Sequence, residues 1–289
     1  MKREEQLSEK ARKPAHVLTP GKKLGVIGAG VMGQAILGGL LRKAFVDRTQ
    51  VWAAAKSDAS CRQVAESLGI TVERDYLGRI PDSEILILCV KPAQVEGVLE
   101  KLKHARLSPD TLLISIAAGP TTERLEAWLG TANPWVRAMP NTPCVVGDGM
   151  TVICGGRFAT QAHLEQAQRI FEAVGRCVVA EESHFNAVTA LSGSGPAYVY
   201  LILEALADAG VRVGLRRDLA LTLVTQTVLG ATKMVQETGR HPAALRDDVT
   251  TPAGCTIGGL LMLEDGKIRS VLARAVEEAT RIAAQLGKP

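Results

Sequence analysis

Through the first part of the chain the hydrophobic residues arrive in short blocks, and through the rest they recur at helical spacing. Glu84-Ile-Leu-Ile-Leu-Cys-Val90 and Thr111-Leu-Leu-Ile-Ser-Ile116 are continuous apolar runs of the kind buried on both faces in a parallel sheet. Leu24 to Ile27, Val51-Trp-Ala-Ala54, Ile70 to Glu73, Trp135-Val-Arg137, Met150 to Cys154 and Cys177 to Val179 predict further strands. Ala35-Ile36-Leu37 with Leu40-Leu41 supplies one helix face, and Gln161 to Val174 predicts another helix. Strands alternating with helices up to about Ala180 predict an α/β fold, a Rossmann-type doubly wound sheet over 21–180. From Glu181 the strand signals stop. Phe185 to Leu191, Pro196 to Gly210, Leu219 to Gln236, Pro242 to Arg246, Ile257 to Leu263 and Ile268 to Gln285 predict an all-α second domain over 181–289. Ala220-Leu-Thr-Leu-Val224 is apolar on more than one face, which implies burial in a large core or against another subunit. Dimerisation through the helical domain is the expectation. Met1 to Pro20, charged and closed by Pro14 and Pro20, reads as an extension outside the fold.

Composition narrows the function classes. The 289 residues suffice for two domains, at roughly 100 to 200 residues each. Aromatics make up 3% while alanine and glycine are plentiful, which suits close helix packing. The net charge of +4 comes from 34 basic and 30 acidic residues without a basic, aromatic-interleaved stripe, so nucleic acid is not implied. No apolar stretch reaches the ~20 residues of a membrane span, and no signal-peptide core is present. Cys61, Cys89, Cys144, Cys154, Cys177 and Cys255 lie far apart without C-x-x-C pairing. They read as reduced, buried thiols in a cytoplasmic protein. No carboxylate pair or His/Cys cluster suggests a metal.

The candidate chemistry begins where the first strand meets a glycine-rich turn. Gly28-Ala29-Gly30-Val31-Met32-Gly33 fits G-x-G-x-x-G. The first glycine permits the tight turn, the second lets backbone approach a pyrophosphate, and the third lets the helix sit close to its strand. The N–H groups and dipole at that helix start face an anion. After the second strand, an NAD site places an acid on the ribose 2′-hydroxyl. Here Ala55-Lys56-Ser57 stands instead. A lysine and a hydroxyl receive a 2′-phosphate, which favours NADPH while leaving NADH open; Lys56 as a surface lysine and Ser57 as a helix cap fit the same residues. Lys91, between Val90 and Pro92, suits either a cofactor phosphate or the cap of the next helix, which Pro92 can open. Ala117-Ala118-Gly119 leaves room at a strand's carboxyl end, where ligands bind in open α/β sheets. Asn141 and Thr142, between two prolines, can bond a ligand or their own loop. In the second half, Ser192-Gly-Ser194-Gly-Pro196 and Asp248-Val-Thr-Thr251-Pro-Ala-Gly254-Cys255-Thr256 each break a helix and restart it. Each offers N–H groups and hydroxyls suited to a carboxylate.

Taken together, Gly28–Gly33, Val90-Lys91-Pro92, Ser115-Ile-Ala-Ala-Gly119, Met139-Pro-Asn-Thr-Pro143, Ser192-Gly-Ser-Gly-Pro-Ala-Tyr198 and Asp248–Thr256 resemble pyrroline-5-carboxylate reductase, in order from about Lys22 to Leu286. The last two motifs are the specific ones. The resemblance implies reduction of 1-pyrroline-5-carboxylate to proline, the last step of proline biosynthesis, by hydride from a nicotinamide, with the substrate held by the helical domain. Gly254 and Cys255 would then offer backbone N–H groups and Thr256 a hydroxyl to the substrate's carboxylate and ring nitrogen, with Ser194 and Thr251 beside them. It also implies a homodimer, often assembled into a decamer. Cys255 stands where Gly, Ala or Thr is commoner, and Asp75-Tyr76 replaces a frequent Asn near the adenine side. A protonated cyclic imine already accepts hydride readily, so positioning and electrostatics suffice without a strong general acid. Two other readings compete. A β-hydroxyacid dehydrogenase needs a lysine and an asparagine where Val199 and Leu203 stand, and a non-catalytic dinucleotide sensor has no use for two carboxylate-ready loops.

Overall fold

The computed structural model describes residues 17–286. An eight-stranded sheet organises the first part of the chain: β1 (Lys23–Ile27), β2 (Val51–Ala54), β3 (Thr71–Glu73), β4 (Ser83–Leu88), β5 (Leu112–Ser115), β6 (Trp135–Met139), β7 (Gly149–Gly155) and β8 (Gly175–Val179), in the order β3-β2-β1-β4-β5-β6-β7-β8. All neighbours are parallel except β6 and β7. The strand–helix alternation read from the sequence lacks an α-helix at two places: β3 reaches β4 through the 3₁₀ turn Leu77–Asp82, and β7 runs antiparallel to β6. The connection from Met139 to Gly149 holds only a 3₁₀ turn, Thr142–Val146, and a parallel crossover needs a dozen or more residues. The chain reverses instead.

Helices cover both faces. On one side α1 (Val31–Arg42), α2 (Asp58–Leu68) and α5 (Gln161–Glu172) contribute Ile36, Leu37, Leu40, Val64, Ile170 and Phe171 to a core with Val26, Ile85 and Ile114 of the sheet. On the other, α3 (Pro92–Lys103) and α4 (Thr122–Leu129) contribute Val95, Leu99, Leu125 and Leu129 against Leu86, Leu88 and Trp135. The central strands are apolar because both of their faces are covered. Val17 and Leu18 also belong to this core, and Val17 N donates to Phe45 O at 3.2 Å. The extension expected over 1–20 thus gives way to packed chain from Val17, because these apolar side chains find a surface to bury against; Met1 to His16 lie outside the described residues.

Helices make up the remainder: α6 (Phe185–Val188), α7 (Gly195–Arg212), α8 (Arg217–Thr238), α9 (Pro242–Asp248), α10 (Cys255–Asp265) and α11 (Ile268–Leu286). The chain forms two compact units, one reaching to Gly193 and taking in residues from Thr280 onward, the other Ser194–Ala279. The compact units part at Ser194, past the Glu181 at which the helical half was expected to begin, because residues 181–193 bond to the sheet unit. Thr122 N donates to Glu182 Oε1 and Asn141 Nδ2 donates to Ser192 O. In Ser194–Ala279 the buried residues are Ala207 and Ala220, while Leu201, Leu221 and Met262 stay 64%, 51% and 67% exposed. The apolar faces seen in the sequence are thus not closed into a core within one chain.

Gly25 shows how tightly the sheet is fitted. It lies opposite Trp52 in the β1–β2 register, and a Cβ at Gly25 would fall 2.1 Å from the indole ring. That ring is fixed by Trp52 Nε1 donating to Ser83 Oγ at 3.0 Å and by stacking on Tyr76 at 6.0 Å. Gly25→Ala is expected to destabilise the protein by about 1–3 kcal/mol through overpacking, measured as a lower urea midpoint; an unchanged midpoint would show that the indole can move aside.

Candidate active site

The glycine-rich turn has the three separate properties its spacing predicts. Gly28 has φ +105°, and a Cβ there would sit 2.8 Å from the Cys89 backbone, so the tight turn needs glycine. At Gly33 a Cβ would lie 2.6 Å from Gly28 O and 3.0 Å from Val26, which is the close helix–strand approach. A Cβ at Gly30 would meet nothing within 4 Å. Its glycine therefore serves no packing within the chain and leaves the backbone open from outside.

Gly30 is also the N-cap of α1, makes no side-chain cap bond, and no acid stands in the first turn. The first N–H groups of a helix lack partners within it, and here no side chain replaces them. Ala29 is buried while Val31, 72% exposed, opens the helix beside half-buried Met32. An uncapped helix start with a cradle that admits backbone contact fits a dinucleotide pyrophosphate. Residues present and cofactor chemistry agree.

The neighbouring candidates fare unequally. Ser57 is the N-cap of α2, its oxygen accepting from Ser60 N at 3.2 Å, so its hydroxyl serves the helix; Lys56 before it is exposed. Val90 is half-buried, Lys91 is the N-cap of α3 with its N–H donating to Gln94 Oε1 at 3.3 Å, and Pro92 opens that helix. The ammonium of Lys91 makes no cap bond and stays exposed. Ala118 is half-buried in the turn after β5. The side chain of Asn141 is committed to structure: its Nδ2 donates to Ser192 O at 3.2 Å and its Oδ1 accepts from Met150 N at 2.8 Å.

In the second half both loops precede a helix start. At the first, a bend at Ser194 separates a π turn from a new helix, Gly195–Arg212, which carries Pro196 in its first turn. After α6 the chain passes through a π turn, Thr189–Gly193, with Thr189 Oγ1 donating to Phe185 O at 2.7 Å, and Ser194 keeps helical angles, φ −85° and ψ −21°. Gly195–Arg212 thus restarts with Ser194 at its N-cap, without a side-chain cap bond and without an acid in its first turn, as the sequence had suggested. The π turn brings Gly193 to where a Cβ would be 2.8 Å from Met139 Cε, and it buries Ser192 Oγ without a hydrogen-bond partner.

Around Thr251 the break is real. Ala253 has φ +57°, a left-handed conformation that costs a non-glycine residue roughly 1–2 kcal/mol. Gly254 is the N-cap of α10 with no side-chain cap and no acid in the first turn, and a Cβ there would lie 2.4 Å from Thr251 Oγ1. One expectation is corrected here. Gly254 N already donates to Thr251 O at 3.1 Å, so the donors left for an anion are the first N–H groups of the helix itself, from Cys255 and Thr256 onward. Cys255 is exposed and Thr256 half-buried. Strain of this kind clusters at ligand sites.

Burial pushes the thiols of Cys154 and Cys177 up to about 12, so both stay protonated at neutral pH. No group of three or more His, Cys, Asp or Glu side chains that could hold a metal ion occurs among the described residues. Nothing in the sequence singled out Arg137 and Glu182 as partners, an ion pair at 3.0 Å in which the arginine is buried and the carboxylate half-buried. Its one visible signal was an arginine inside the apolar strand Trp135–Met139.

Comparison with known proteins finds a family model for each part of the chain. Residues 182–286 match the family model for pyrroline-5-carboxylate reductase dimerisation, and 23–119 match the model described as NADP oxidoreductase, coenzyme F420-dependent. The chain is 43% identical over 263 residues to the pyrroline-5-carboxylate reductase of Glycine max, covering 91% of this chain and 95% of the relative. A solved pyrroline-5-carboxylate reductase from Coxiella burnetii superposes with TM-score 0.87 at 35% identity, covering 93% of this chain and all of that one. The Plasmodium falciparum pyrroline carboxylate reductase, solved with NADP bound, superposes with TM-score 0.84 at 31% identity and covers 94% of this chain and 100% of its own. With an uncapped helix start in each unit and this likeness along nearly its whole length, the chain belongs to the pyrroline-5-carboxylate reductase family.

Proposed function

We infer that this chain reduces 1-pyrroline-5-carboxylate to L-proline with hydride from NAD(P)H, the last step of proline biosynthesis. Identity of 43% over 91% of the chain carries that reading. When bound, the nicotinamide cofactor supplies the hydride. The residues of the chain hold and orient. The turn Gly28–Gly33 and the start of α1 receive the pyrophosphate, and Lys56 meets the adenosine ribose, where an ammonium favours a 2′-phosphate and hence NADPH. Val90, Lys91, Pro92, Ala118 and Asn141 border the same sheet edge, Asn141 by shaping its loop.

In the helical unit, the N–H groups of Cys255 and Thr256 take the substrate carboxylate and the Thr256 hydroxyl bonds the ring nitrogen, with Thr251, Gly254 and Ser194 shaping the surroundings. No side chain needs to act as a strong acid, because the protonated imine enters as an acceptor; fixed donors at an uncapped helix start hold its carboxylate without reorganisation. A sensor without chemistry is a poorer account, since every near-full-length relative named above is a reductase.

Chains associate through the helical unit. Ser194–Ala279 leaves Leu201, Leu221 and Met262 more than half exposed, and apolar faces of that extent mark subunit contacts. The assembly proposed is a homodimer built further into a decamer. No helix among the described residues is long and apolar enough to cross a membrane, and the proposed location is the cytoplasm.

Three outcomes are expected. With NADPH and 1-pyrroline-5-carboxylate the purified protein shows loss of reduced-nucleotide absorbance, and Thr256→Ala lowers kcat roughly 10- to 100-fold, the size of a lost hydrogen bond to a charged group, with little change in cofactor affinity; equal kinetics would remove Thr256 from the site. Gly30→Val leaves stability within ~1 kcal/mol, since nothing in the chain occupies that space, while NADPH affinity measured by titration falls about tenfold or more as the pyrophosphate loses its approach. Sedimentation velocity gives a dimer or larger for the wild type and a shift to smaller species for Leu221→Asp; a monomeric wild type would overturn the assembly.

A further inference from the structure

Glu182 is a single carboxylate on which three parts of the sheet unit close. Its Oε1 accepts from Thr122 N at 2.8 Å and from Arg137 Nη1 at 3.0 Å, and its Oε2 accepts from the Thr122 hydroxyl at 2.7 Å. Arg137 is 4% exposed and its guanidinium carbon lies 4.7 Å from the centre of the Phe185 ring. The start of α4, strand β6 and the segment leading into α6 are thereby tied to one another. The pair also borders a cavity of about 370 Å3, together with Gly119, Thr121, Ser183 and Asn186.

A buried ion pair is a weak source of stability compared with apolar packing, because both charges lose water. It is directional, however, and what it orients is the turn over residues 117–122. That turn follows β5 at the carboxyl edge of the sheet. In an open doubly wound sheet the dinucleotide crosses where the strand order reverses, here between β1 and β4. Its adenosine half lies toward β2, where Lys56 stands, so its nicotinamide half lies toward β4 and β5.

We propose that Glu182, held in place by Arg137, is a positioning residue for the nicotinamide half of the cofactor. By gripping both the N–H and the hydroxyl of Thr122, it fixes the turn after β5 along which the ring and its ribose lie. Gly119, with φ +106°, makes the turn sharp; Ser115 Oγ holds its first residue by accepting from Ala117 N, Thr121 caps the helix that follows, and the Glu182 carboxylate adds the anchor at Thr122. The inference rests on the dinucleotide reading of the Gly28–Gly33 turn.

The test compares two ligands on the whole protein by calorimetric titration: NADPH, and 2′-phospho-ADP-ribose, which keeps the adenosine with its 2′-phosphate, the pyrophosphate and the second ribose but lacks the nicotinamide. Glu182→Ala is expected to weaken NADPH about tenfold, the size of a lost charge-assisted hydrogen bond, while 2′-phospho-ADP-ribose affinity stays within about twofold and KM for 1-pyrroline-5-carboxylate does not rise. Thr122→Val removes only the hydroxyl contact and is expected to give the same selectivity at smaller size, which decides the matter if Glu182→Ala fails to fold. A merely structural role lowers the melting temperature without separating the two ligands. Equal loss of both, or loss of neither, overturns the proposal. Failure of both NADPH and 2′-phospho-ADP-ribose to bind the wild type overturns the dinucleotide reading itself.

Discussion

The amide groups that open Val31–Arg42 have no side chain to receive them, and the chain goes to some length to keep them that way. Gly30 stands at the cap position without a hydroxyl or carboxylate, the first turn is free of acids, and Gly33 lets the helix settle against the carbonyl of Gly28. Two other helices of the same unit close their own starts. Ser57 accepts from Ser60 N, and Thr121 accepts from Arg124 N. The positive end of a helix is neutralised from within where it has no further task, and stays available where an anion is to be held.

The same device recurs at Cys255–Asp265, again with a glycine cap, no acid and no side-chain bond. There the backbone before it is bent through Ala253 at φ +57°. In the function proposed, two anions need two such places, one for a pyrophosphate and one for a carboxylate. Neither asks for an ionisable catalyst, which agrees with the reaction: hydride moves to an acceptor that is already activated, and the protein contributes geometry and fixed dipoles.

What the sequence made legible follows from how strongly each position limits its residue. Gly28 and Gly33 are legible because no other side chain fits, and the apolar strands because both faces are covered. The reversal between β6 and β7 was hidden, since the apolar blocks look alike whichever way the strand runs. Small residues at Ser192–Pro196 showed a break, and the helix does restart at Gly195; the π turn before it, in which Gly193 passes close to Met139, leaves no mark in residue type. The commitment of Gly254 N–H to Thr251 O, and of the Asn141 amide to Ser192 and Met150, is a matter of local geometry that residue type does not reveal. Arg137 was readable only as an oddity in an apolar strand, because its partner Glu182 lies far along the chain.

Ser194–Ala279 encloses almost nothing: two alanines lie beneath its surface, and its leucines face outward. Such a unit draws its folding free energy from association, so its resistance to heat or denaturant rises with protomer concentration and falls on dilution. Catalytic competence and quaternary structure are then one thermodynamic property. A substitution far from either anion-holding helix start can silence the enzyme simply by loosening the grip of one chain on another.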